Sequence, residues 1–126
     1  MPVPSEDIML SHIATAFADE ISNHDWSDAP YRLDRAGHHR DDDSNRGKNV
    51  LEPAQTACVQ GNVVFVTAQV LKYLDPNLDL HEFAEACGLP RTMTHNRDGR
   101  RSGGITAGLR LIDGAVAAPG VCGTRA

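Results

Sequence analysis

The chain has 126 residues, 40% of them hydrophobic and 23% charged, and carries a net charge of −5. That length fits one domain and buries a core without disulfide or metal staples. The negative balance speaks against a binder whose affinity rests on neutralising phosphates, and aromatics at 5% leave the core to aliphatic residues and alanine, a composition that suits packed helices better than stacked sheets.

The charge is unevenly spread. Residues 1–30 hold six acids and no Lys or Arg, whereas residues 91–110 hold five arginines against Asp98, a local +4. The three cysteines, Cys58, Cys87 and Cys122, are widely spaced with no CxxC pair. That pattern predicts reduced thiols in a cytoplasmic protein rather than a secreted disulfide framework. No signal peptide is visible, and the longest apolar run, around Val63–Val66, is too short to cross a bilayer.

Ser5 has the chemistry of an N-cap, with Glu6 and Asp7 behind it in the first turn. Leu10, Ile13, Ala14, Phe17 and Ile21 then form an apolar stripe at helical spacing, with Asn23 as a stop. Trp26 and Tyr31 are expected to tuck back onto the core. From Gly37 to Asn49 the chain is almost wholly polar, which predicts a flexible, disordered loop over 37–49.

Between Leu51 and Leu74, apolar residues recur at three- and four-residue steps behind Pro53, a residue suited to a helix's first turn. The β-branched run at 62–67 offers the alternative of a strand, which would make the fold α+β. The longer helical pattern outweighs it. Asp79 opens a short helix through Leu80, Phe83, Ala84 and Cys87, closed by Gly88 and barred from continuing by Pro90. Residues 96–104 read as a basic flexible loop, and Ile105–Val116 as a last helix. The expected fold is therefore an all-α bundle of about four helices, residues 1–118, followed by a disordered tail at 119–126.

These residues match parts of three chemistries. Residues 80–96 match a helix-turn-helix around Ala84, Gly88, Leu89 and Arg91, but Asp98-Gly99 and Gly103-Gly104 cut its second helix short. His24-Asp25 matches the paired ligands of metal-dependent hydrolases, with His12 and Asp113 as nominal partners that nothing in the spacing supports. His38-His39 beside Asp41–Asp43 has ion-binding residue types in a loop. Cys58 and Cys87 lie on apolar stripes, which predicts core residues rather than nucleophiles. No nucleophile elbow, phosphate loop or paired-carboxylate pattern is present, so no catalytic residue, metal or cofactor is assigned.

Trp26, the Ala57-Cys58 pair with Gly61, and Asn96-Arg97-Asp98-Gly99 before the last helix follow an order of features found elsewhere. In that order the chain resembles a family of small uncharacterised proteins of actinobacteria and their phages. The 37–49 insertion and the glycine pair at 103–104 depart from its pattern. The resemblance implies a fold-sized unit and carries over no activity. The sequence thus predicts a small accessory or regulatory protein that binds another protein, without a membrane and without catalysis. Its candidate binding residues are Trp26, Arg91, Arg97, Arg100 and Arg101. A DNA-binding regulator using 80–96 and a metal-dependent hydrolase around His24 are the alternatives.

Overall fold

In the computed structural model, which describes residues 11–43 and 48–122, five α-helices surround one core and a two-residue-strand hairpin follows them. The helices are α1 (His12–Asn23), α2 (Pro53–Leu74), α3 (Leu80–Ala86), α4 (Arg91–Thr94) and α5 (Gly103–Ala107). The strands are β1 (Leu111–Ile112) and β2 (Ala115–Val116), antiparallel, with Leu111 opposite Val116. The protein is predominantly helical, and no helix among the described residues is long and apolar enough to cross a membrane.

α1 starts where the Ser11 hydroxyl accepts the Ala14 amide, satisfying an otherwise orphaned donor. The expected start at Ser5 lies outside the described residues. The expected inward stripe is turned. Ala14, Ala18 and Ile21 are buried, whereas Ile13 is 65% exposed and Phe17 half exposed. Small alanines on the inner face let α1 lie close against α3 and α2, and the bulkier pair then points outward.

α2 runs unbroken through residues 62–67, so the strand alternative does not occur. Pro53 sits in its first turn, and a capping box joins Glu52 and Gln55. Gly61 is buried inside it, and a Cβ there would come within 2.7 Å of the Met93 methyl. A side chain there would have to push that flexible methionine end aside.

The Asp79 carboxylate caps α3 by accepting the His81 and Glu82 amides. At the other end Gly88 adopts φ +87°, its amide donating to Glu85 O and the Leu89 amide to Ala84 O. Phe83 at the centre of α3 is fully buried, with Val64, Cys87 and Ile105 in the same core.

The expected last helix over Ile105–Val116 ends at Ala107. Asp113 and Gly114 both have positive φ, 52° and 81°, the backbone of a tight two-residue hairpin turn, and the chain doubles back there. Gly103 and Gly104, expected in a loop, open α5, where Ser102 Oγ accepts the Gly104 amide. Gln69, buried in α2, holds the hairpin. Its Nε2 donates to Arg110 O and Ala117 O, and its Oε1 accepts the Arg110 amide at 2.8 Å.

The polar stretch after Gly37 has definite partners in its described part. The Asp25 amide donates to His38 O at 2.9 Å, Arg32 Nη1 donates to Gly37 O, and Asp43, itself buried, accepts the Leu33 amide through Oδ2. Residues 44–47 of the predicted loop, and 123–126 of the predicted tail, lie outside the described residues.

Candidate binding face

The segment after α1 is organised by a buried ion pair. Arg32 Nε lies 3.2 Å from Asp28 Oδ1, and both side chains are almost wholly buried. Arg40 Nε approaches the other carboxylate oxygen at 3.5 Å. Arg32 Nη1 also sits 3.2 Å from His24 Nε2. A guanidinium has no lone pair to offer, so His24 Nε2 must accept and the neutral ring carries its proton on Nδ1. His24 Nδ1 faces His38 Nδ1 at 3.4 Å, and His38 Nε2 lies 3.4 Å from Glu20 Oε1. A polar chain therefore runs from Asp28 through Arg32, His24 and His38 to α1.

Burial lowers the His24 pKa from its ordinary 6.5, and the Arg32 and His38 charges lower it further against the opposing pull of Asp25 and Asp28. Protonation would also set an imidazolium against the guanidinium. The folded chain thus takes up this proton less readily than the unfolded one, so stability is full above pH 6.5 and declines as pH falls below it. Urea midpoints are expected to drop between pH 7 and pH 5, and to drop less in His24→Gln. Equal drops in both proteins would remove His24 as the cause.

Trp26, a sequence candidate, packs against the core, stands 4.4 Å from the His24 ring and donates Nε1–H to Ile21 O at 2.9 Å, closing the end of α1. One side of it lines a cleft of about 250 Å³ with Phe17, Val63 and Thr67, rimmed by Glu20 and Arg35. The arginine candidates lie elsewhere. Arg91 starts α4; Arg97 and Arg100 are exposed on a tight loop closed by the Asn96 amide on Arg100 O at 2.7 Å. Arg100 pairs loosely with Asp98, and Arg101 reaches Asp79 at 3.0 Å. Burial alone would raise the Asp79 carboxyl, but the Glu82 amide, Arg101 and the His81 amide together hold it below its ordinary range. The structure does not bring Trp26 and the arginines into one site.

Sequence reasoning missed the most exposed apolar surface, the outer side of α2. A helix apolar all round is normally buried. α2 carries one charged residue in 22, Lys72, whose Nζ turns back to Pro76 O and Leu78 O. Yet Val66 is 63% exposed, Leu74 70%, and Val70 and Tyr73 are also open. Val59, Val63, Val66, Val70 and Tyr73 step by four, three, four and three, the spacing of a helix-pairing seam. That rhythm was the available signal. It was masked because Val64, Ala68 and Leu71, between the same residues, form the inward stripe.

Clefts flank the seam on both sides. Toward α1 lie the Trp26 cleft and a second, of about 230 Å³, between Ile13, Leu71 and Leu74. On the other side a cleft of about 270 Å³ is walled by Val66, Val70, Arg110 and Val121.

All three thiols are free. Cys87 is buried, as expected, and burial pushes its thiol up to about 12; Cys58, expected in the core, is exposed, as is Cys122. Among the described residues no group of three or more His, Cys, Asp or Glu is placed to hold a metal ion, and His24 Nε2 faces a guanidinium whose charge opposes a cation. No protein-family model, curated protein or solved structure matches the chain.

Proposed function

We propose that this chain is a small accessory or regulatory protein that works by binding another protein chain through the outer face of α2. The observation that carries the reading is the charge-free seam Val59–Tyr73 of α2, whose Val66, Val70 and Tyr73 are exposed where helix patterning calls for a partner, while Val59 and Val63 are half-buried and Val63 also packs on the core. Exposed apolar patches with polar rims mark association sites, and here Ile13 and Phe17 of α1 extend the patch. The nucleic-acid alternative has less support: α4 is four residues long, too short to lay several side chains along a groove, and Arg101 is engaged by Asp79.

A photo-crosslinking amino acid at position 66 tests the reading in cells. Discrete protein adducts are expected from position 66 and none from Thr106, which is exposed on α5. Absence of adducts at 66, or equal yields at 106, would count against it.

A further inference from the structure

We infer that the occupant of this face is a second copy of the same chain, with α2 packed parallel to its symmetry mate along the Val59–Tyr73 seam. The inference rests on the binding reading above and names its partner.

Three observations carry it. The first is the spacing. A four-three repeat sets Val66, Val70 and Tyr73, which are exposed, and the half-buried Val59 and Val63 along one line of the helix, so an identical helix offers holes at the matching heights and the seam complements itself. The second is charge. A chain of net charge −5 repels its own copies, and close approach requires a contact surface without charge. The outer face of α2 has that property, since Lys72 is tied to carbonyls beyond the helix end. A charged partner surface would bury its charges there unpaired.

The third observation fixes the direction. The margin on the α1 side carries Glu20 and Asp75 with a single Arg35, and is net negative; the opposite margin carries Arg110. A two-fold axis running along α2 lays each margin on the other and joins opposite charges. An axis across α2, giving antiparallel helices, would set acid against acid.

The size is adequate for a modest dimer. From Val59 to Tyr73 the seam is about 21 Å long, and a strip about 30 Å wide, the helix itself plus one helix width on each flank, covers roughly 600 Å² per copy. That is the lower end of specific interfaces, which bury about 1,200 Å² in total, a size typical of weak and transient associations.

Single cysteines test the arrangement in a chain carrying Cys58→Ser and Cys122→Ser, the buried Cys87 staying out of reaction. In a parallel pair, Val59→Cys, Val66→Cys and Tyr73→Cys each face their own counterpart. All three are expected to give disulfide-linked dimers on mild oxidation at tens of micromolar, while Thr106→Cys remains monomeric. Sedimentation of the unmodified chain is expected to give twice 13.6 kDa at the same concentration. Dimers from Val66→Cys alone would overturn the parallel pairing. A monomer in sedimentation with no linked species would overturn the second copy altogether. If photo-adducts from position 66 then contain a different protein, the binding reading survives and this inference fails; if they too are absent, both fail.

Discussion

Asp28→Ala is expected to destabilise the protein by about 3–5 kcal/mol, because it strands the Arg32 guanidinium inside the fold. The Arg32 side chain is almost fully buried, and its Nη2 has no hydrogen-bond partner among the described residues. The surviving contacts, to Gly37 O and His24, direct the charge but do not neutralise it. Removing both charges in Asp28→Leu/Arg32→Met deletes the attraction together with the desolvation penalty, so the double variant is expected to be more stable than Asp28→Ala alone. Urea unfolding followed by circular dichroism decides this. A loss below about 1 kcal/mol for Asp28→Ala would mean that water reaches the pair and that the ion pair does not organise residues 24–43.

Phe83→Ala is expected to be comparably severe, at about 3–5 kcal/mol. Phe83 is the largest fully buried side chain and sits midway along α3, the helix that meets α1, α2, α4 and α5. Truncation leaves a void that four helices cannot all close upon. Phe83→Leu keeps most of the volume and is expected to cost about 1–1.5 kcal/mol. A fall in urea midpoint at unchanged slope supports the account. A near-neutral Phe83→Ala would show that the core is not centred on α3.

These two sites differ in how far sequence reveals them. Phe83 stands in a capped, glycine-terminated helix whose every signal agrees: Asp79 before it, apolar residues at three- and four-residue steps, Gly88 after it. The ion pair had no such signature. Asp28, Arg32 and Asp43 are spaced irregularly through a polar stretch, and polar composition reads as solvated chain. Only the fold reveals that Asp28 and Arg32 are buried on one another and that Asp43 is buried on the Leu33 amide.

Helix faces are less legible than the presence of α1, α2 and α3. In α1 the stripe read from helical spacing holds Ala14 and Ile21, which are buried, together with Ile13 and Phe17, which are not, and it omits the buried Ala18. Close helix packing favours the alanines, so the larger residues were left on the surface. In α2 two apolar stripes overlap, and a pattern sought for one core accounts for only one of them. The hairpin was hidden for a different reason. Its strands have two residues each, too few to display alternation, and Ile105, Leu109, Ile112 and Val116 happen to fall at helical steps. The Asp113-Gly114 pair was the contrary signal, since a tight hairpin turn accepts it and a helix interior disfavours glycine.

The candidate site followed from the same oversight. Of the two aromatics expected to fold back on the core, Trp26 does and Tyr31 is 46% exposed, while charge density, the signal behind the arginines, marks a solvated surface as readily as a contact. The outer valines of α2 are a stronger physical signal, since covering exposed apolar area lowers the free energy.

Crosslinking from position 66 tests that claim most directly. If the outer face of α2 is a docking surface, the photoreactive group at 66 yields discrete adducts whose linked peptides come from one protein, and the same group at 106 yields none. Adducts spread evenly over many unrelated proteins, or no adduct at 66, would contradict it.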